Sequence, residues 1–249
     1  MTSHPFQLIF ATVCLDHNIR LFTLNNQMEV TMVTIGKHTT FINDIAFEPT
    51  TGSILATTGD DNKCRIWNVG DDCEGDGDMA EHCIPLTSPG KAVRWNSSDV
   101  GKLLVAEQNG CIRMYDASNY APLFSLTCSI PSSGLTSCDW SLVNPSKIGA
   151  TIGKNFYTWN TEKGSLPITT GPAHNEGAQL FRWCNVSQEI FATHGRPGNE
   201  TKVFLSSNEK SSMTITSKVG CGMSWHNILP VCVIGSNRKL LLFDLEAMS

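Results

Sequence analysis

A short apolar strand closing on an aromatic residue recurs five times along this chain: Ile45-Ala46-Phe47, Ala92-Val93-Arg94-Trp95, Ser137-Cys138-Asp139-Trp140, Leu180-Phe181-Arg182-Trp183 and Gly222-Met223-Ser224-Trp225. The aromatics fall 48, 45, 43 and 42 residues apart. A fixed period of that length commits a chain to supersecondary units stacked side by side, because one such unit cannot bury its own apolar face. A second ending keeps the same rhythm: Ile19-Arg20-Leu21-Phe22-Thr23, Arg65-Ile66-Trp67-Asn68, Ile112-Arg113-Met114-Tyr115-Asp116, Phe156-Tyr157-Thr158-Trp159-Asn160 and Leu241-Leu242-Phe243-Asp244, with a degraded copy at Lys202-Val203-Phe204-Leu205. Between them lie further strands followed by turns such as Gly59-Asp60-Asp61-Asn62, Gly153-Lys154-Asn155 and Gly235-Ser236-Asn237. Gly and Asn tolerate the positive φ that tight hairpins impose. No segment holds a helical period, so the whole chain reads as strands and turns.

Four strands per period of some forty-odd residues is the spacing of WD40 repeats, and the fold expected is an all-β WD40 β-propeller. Five blades read as complete, with inner strands near Met32–Ile35, Cys83–Thr87, Pro122–Cys128, Pro167–Thr170 and Met213–Thr216. Residues 6–24 supply only a two-strand half-blade ahead of them. The expectation is one propeller domain over residues 1–249, shortened at its N-terminus from a longer ring. One repeat also carries the polar signature of such folds. His38, Asp61 and Trp67 stand where a buried hydrogen-bonded chain ties the outer strand to the inner ones, and Asp44 stands where Ser or Thr is usual. Each such bond is worth about 1 kcal/mol net, and more where a buried carboxylate takes part.

Composition narrows the function. The chain has 41% hydrophobic and 16% charged residues over 249 positions, enough to bury a core. The formal charge is −5, and the eighteen Lys and Arg are scattered singly. A surface that tracks phosphates needs clustered positive charge, so direct nucleic-acid binding is disfavoured. The ten cysteines contain no CxxC pair, which argues against a structural zinc and for reduced, mostly buried thiols inside the cell. The run Phe6–Cys14 lacks a basic leader and a cleavage site and reads as a strand, and no apolar run reaches the roughly 18 residues of a membrane helix. The sequons at Asn96, Asn185 and Asn199 are then accidents of composition.

Candidate chemistry reads mostly as structure. In the acidic stretch Asp71–Asp78, Asp72, Glu74, Asp76 and Gly77 fit the opening of a calcium loop, but Cys83 stands where the closing Glu belongs, and a solvated loop is the better reading. Apart from His38, the histidines at 4, 17, 82, 174, 194 and 226 have no partner at ligand spacing. No nucleophile elbow, phosphate loop or HExxH occurs, so no catalytic, metal or cofactor site and no small-molecule substrate is expected. The six tryptophans sit at strand ends and read as core rather than as a cage for a modified lysine. The loop Gly195-Arg196-Pro197-Gly198-Asn199 is a turn whose Arg is free to meet a partner.

The chain resembles one WD-repeat family, the small propeller subunits of the Y-shaped nuclear pore scaffold. The resemblance is carried by His38-Thr39-Thr40-Phe41-Ile42-Asn43, Val105-Ala106-Glu107-Gln108-Asn109-Gly110, Leu180-Phe181-Arg182-Trp183 and Ser224-Trp225-His226 with Leu229-Pro230-Val231-Cys232-Val233-Ile234-Gly235. It implies a seven-bladed, non-enzymatic scaffold docked on the large solenoid subunit of the short arm, located at the nuclear envelope and at kinetochores in mitosis. Members of that family carry about one and a half further blades upstream. It marks no docking residue. The rivals are another WD adaptor, such as a ubiquitin-ligase substrate receptor or chromatin-binding propeller, and a hydrolase on a propeller frame. The WDxR box common in substrate receptors is missing: its positions hold Asn68-Val69-Gly70, Asp116-Ala117-Ser118 and Asn160-Thr161-Glu162.

Overall fold

Alternating apolar residues and short Gly/Asn turns fold this chain into successive antiparallel meanders. The computed structural model describes residues 8–70, 80–128, 134–208, 210–216 and 220–245. Among them are six sheets. The first comprises β1 (Leu8–Val13), β2 (Asn18–Leu24) and β3 (Val30–Lys37). The second is β4 (Ile42–Phe47), β5 (Ile54–Gly59), β6 (Lys63–Asn68) and β7 (His82–Pro85). The third is β8 (Gly90–Trp95), β9 (Lys102–Glu107), β10 (Cys111–Asp116) and β11 (Pro122–Thr127). The fourth is β12 (Leu135–Trp140), β13 (Lys147–Ile152), β14 (Asn155–Asn160) and β15 (Thr169–Pro172). The fifth is β16 (Gly177–Trp183), β17 (Ile190–Arg196), β18 (Glu200–Leu205) and β19 (Ser211–Thr216). The sixth is β20 (Gly220–Trp225), β21 (Val231–Ser236) and β22 (Lys239–Asp244).

The partition differs from the expected five complete blades after a two-strand half-blade. Met32–Ile35 lies in β3, which pairs with β2 rather than opening the next sheet. The segments read as inner strands at Cys83, Pro122, Thr169 and Met213 likewise close the sheet before them. The result is four complete sheets between two of three strands. Link length does not decide the pairing: residues 69–81 separate β6 from β7 and only residues 86–89 separate β7 from β8, so the short link carries the chain from the last strand of one sheet to the first strand of the next. The sequence repeat is therefore offset from the sheet by one strand.

The chain forms two compact units, Met1–Val93 and Arg94–Ser249. In the first, Ile19, Leu21 and Ile35 of the opening sheet pack on Leu55, Trp67 and Val69. That packing needs Gly36, where a Cβ would lie 2.2 Å from the Trp67 ring. In the second, Phe156, Phe181, Trp183, Phe191 and Phe204 form one buried cluster. Gly149 admits Phe181 in the same way, since a Cβ there would meet the ring at 2.1 Å. A second cluster gathers Cys184, Val203, Met223, Trp225, Cys232 and Ile234. All six tryptophans are buried. The eight cysteines with described side chains are free thiols, and burial pushes Cys232 up to about 12. Among the described residues no helix is long and apolar enough to cross a membrane.

Candidate functional site

The polar chain expected in one repeat is built from β5, β6 and the segments flanking them. His38 follows β3 and is 2% exposed. Its Nδ1 lies 2.9 Å from Asp61 Oδ1, in the β5–β6 turn, and its Nε2 lies 2.8 Å from Thr57 Oγ1. Trp67 Nε1 donates to the same hydroxyl at 2.9 Å. The donors run one way: indole N–H to Thr57, Thr57 O–H to His38 Nε2, and His38 Nδ1–H to the Asp61 carboxylate. This order assigns a neutral imidazole with its proton on Nδ1. Burial pushes the His38 pKa below the ordinary histidine value, against the opposing pull of Asp61.

Asp44 is not part of this chain. Thr57 on β5 fills the hydroxyl position, and Asp44 instead accepts the Val93 N–H at 3.0 Å. The reason lies in the fold: the hydroxyl must face the Trp on the adjacent strand, and β5 neighbours β6 while β4 does not. Asp139 does a similar job in the second unit, accepting the Trp183 N–H at 2.9 Å and the Arg94 Nε–H at 3.0 Å. A carboxylate on the first strand therefore serves to bond the neighbouring first strand.

A partial copy of the polar chain, missed in the sequence, sits in the fifth sheet. His174 Nε2 lies 3.0 Å from Thr193 Oγ1. Thr193 lies two residues past the position paired with Phe204, as Thr57 lies two past the partner of Trp67. Phe204 replaces the Trp, and Pro197 stands where the turn Asp would be. His174 Nδ1 has no hydrogen-bond partner, and the nearest carboxylate is Glu200 at 3.9 Å. Burial, reinforced by the Lys202 charge, lowers the His174 pKa to about 4. The signal was available: Thr57 and Thr193 each precede a glycine by two residues, Gly59 and Gly195. Both glycines leave room for the imidazole, since a Cβ would lie 3.3 Å from His38 Nδ1 and 2.6 Å from the His174 ring.

Other sequence candidates are placed as follows. The acidic stretch Asp71–Asp78 lies outside the described residues. Arg196 is exposed on the β17–β18 turn. His226 Nδ1 accepts the N–H groups of Ile228 and Leu229 and shapes the β20–β21 turn. Among the described residues no three His, Cys, Asp or Glu side chains converge as a metal site. The buried polar groups described above are engaged in holding sheets together.

Comparison with known proteins agrees with this geometry. The family model described as WD domain, G-beta repeat, matches residues 30–68, which are β3 through β6 and include His38, Thr57, Asp61 and Trp67. Over 249 residues the chain is 37% identical to nucleoporin Nup37 of Mus musculus, matching 99% of this chain and 74% of the mouse protein. The chain belongs to the Nup37 nucleoporin family. Nup37 of Homo sapiens is also 37% identical, with the same coverage, and Nup37 of Drosophila melanogaster is 26% identical over 94% of this chain. The fold is that of an all-β WD40 propeller: the crystal structure of the WD40 beta propeller domain of Doa1 superposes with a TM-score of 0.76 at 13% identity, covering 96% of this chain and 76% of that one.

Proposed function

We propose that this Nup37-family chain is a non-enzymatic scaffold subunit of the Y-shaped outer-ring complex of the nuclear pore. Its main partner is the large solenoid nucleoporin of the short arm, with other subunits of the same complex around it. It supports pore assembly and nucleocytoplasmic transport of mRNA and protein at the nuclear envelope, and associates with kinetochores in mitosis. The observation that carries this reading is 37% identity to two Nup37 proteins across 99% of the chain. The physics is compatible with it. Sheets held by buried aromatics and polar chains order the turns they carry, and an ordered surface lowers the entropic cost of docking. The reading needs no cofactor, small-molecule substrate, nucleic acid or membrane insertion.

Affinity recovery from nuclear-envelope extract with the tagged chain tests it. Y-complex subunits should co-purify. A cullin adaptor or histones in their place would overturn the assignment.

A further inference from the structure

We propose that copies of this chain associate head to tail, the sixth sheet of one copy packing on the first sheet of the next. Within each unit the structure shows how one sheet covers another. Neighbouring residues along a strand point to opposite faces of its sheet, and residues paired across strands share a face. In the first unit the row Phe47, Leu55 and Trp67 of the second sheet packs on the row Ala11, Leu21 and Val33 of the first. In the second unit the row Trp225, Cys232 and Phe243 of the sixth sheet packs on Ala192, Val203 and Met213 of the fifth. Each interface joins two kinds of row. One carries a landmark aromatic, Trp67 or Phe243. The other carries the aliphatic residue just before a landmark, Leu21 before Phe22 or Val203 before Phe204.

The first and sixth sheets each leave one row uncovered, and the two rows are of opposite kind. On the first sheet it is the landmark row Phe10, Phe22 and Met32, flanked by Leu8, Leu24 and Val30. Phe10 and Phe22 stack with centroids 5.0 Å apart and planes 6° from parallel, which makes the row one continuous face. Phe10 is 42% and Met32 52% exposed, whereas Leu55 and Cys232, which pair with their landmarks as Phe10 does with Phe22, are 0% exposed. On the sixth sheet it is the aliphatic row Val233 and Leu242, extended by Leu240. Leu242 and Leu240 are 67% and 71% exposed, whereas Leu21 and Val203, each just before its own landmark, are 9% and 4%.

These side chains are core by register and surface by exposure, and an apolar face of that kind marks an interaction site. The interfaces inside each unit say what fits it. A landmark row takes an aliphatic row, and the chain leaves one of each free, so a second copy supplies the counterpart to either face. Charge stays at the margins: Arg20, on the free face of the first sheet, is paired with Asp16, and Lys37 and Asp244 stand at strand ends. The contact joins two different surfaces, so it either closes into a ring of copies or propagates.

The inference rests on these sheets and not on the scaffold reading. The test follows mass against concentration for the purified full chain by analytical ultracentrifugation, with the variants Met32→Asp and Leu242→Asp. Ser212→Asp, exposed on the edge strand β19, is the control. Melting curves verify folding, and Val30→Asp or Leu240→Asp stands in for any variant that does not fold. The wild type and the control should associate as concentration rises. Each face variant alone should be monomeric where the wild type is half associated, its dissociation constant raised about tenfold or more by a carboxylate forced into an apolar contact. Mixed one to one, Met32→Asp and Leu242→Asp should form a complex of two chains and stop there. One intact sixth sheet then meets one intact first sheet, and both remaining faces are blocked. A wild type that is monomeric at every concentration overturns the proposal, leaving each face to be closed within one chain. Either face variant associating alone as the wild type does also overturns it, since a face would then pair with itself. So does a mixture no heavier than its two components apart.

Discussion

The second and fifth sheets start from the same His–Thr pair and finish it differently. In the second, Thr57 is shared by His38 and Trp67, and Asp61 takes the remaining imidazole proton. In the fifth, Thr193 serves His174 alone, and Phe204 stacks on Phe191 with ring centroids 5.1 Å apart and planes 5° from parallel. One sheet closes with a polar chain and the other with aromatic packing. The comparison teaches that the polar chain of a WD repeat can be replaced where enough ring area gathers, here Phe156 from the fourth sheet and Phe181 and Trp183 from the fifth sheet's own first strand.

The contrast can be broken most forcefully at Phe191, which touches Phe156, Phe181, Trp183 and Phe204. Phe191→Ala should cost about 3–5 kcal/mol in denaturant unfolding. A loss below 1 kcal/mol would mean the aromatic cluster does not hold the fifth sheet.

Acid should separate the two histidines next. His174 has a folded pKa of about 4, against an ordinary histidine value of about 6.5 in the unfolded chain. The unfolded chain takes up the proton first, so stability is full above pH 6.5 and falls as the pH drops toward 4. The loss is up to about 3 kcal/mol. His38 is shifted in the same direction by burial, with Asp61 opposing the shift, whereas His174 has no carboxylate within hydrogen-bond distance. His174→Gln should flatten the dependence of urea midpoint on pH. An unchanged slope would show that His174 is not buried neutral.

Paired isosteric substitutions sharpen the comparison further. Thr57→Val strands two buried groups, the Trp67 indole N–H and His38 Nε2, and should cost about 2–3 kcal/mol. Thr193→Val strands only His174 Nε2 and should cost about 1–2 kcal/mol. For a chain of this size that is a difference of roughly 2–4 °C in melting temperature. Equal effects would mean the shared hydroxyl has no special place. The smallest effect is expected at Asp44, where Ala removes the bond to the Val93 N–H and should cost about 1 kcal/mol. A cost matching Thr57→Val would put Asp44 back among the residues that hold the repeat.

The strand endings were legible because they combine apolar alternation with an aromatic at fixed spacing, a pattern that survives divergence. All five aromatics of the first landmark close a first strand in the structure. Sheet membership was not legible, since β3 continues the sequence repeat that runs through β6 while its hydrogen bonds go back to β2. Thr57 was overlooked for a related reason. Asp44 is nearer to His38 along the chain, but contact with Trp67 is decided by strand adjacency, and β5 is the neighbour. The partial chain at His174 was hidden because Phe204 and Pro197 remove two of its four landmarks. The apolar turns between first and second strands do leave a periodic trace, since Val100, Leu142, Val186 and Ile228 fall 42, 44 and 42 residues apart, but a sequence pattern does not tell an exposed turn residue from a buried one.

The scaffold assignment is tested most directly by one measurement, lysine cross-linking of isolated nuclear envelopes that carry the chain, read by mass spectrometry. Cross-links from the chain's exposed lysines, among them Lys163 and Lys239, should reach a solenoid nucleoporin of the Y-complex. Cross-links that reach no nucleoporin from any lysine would contradict the account.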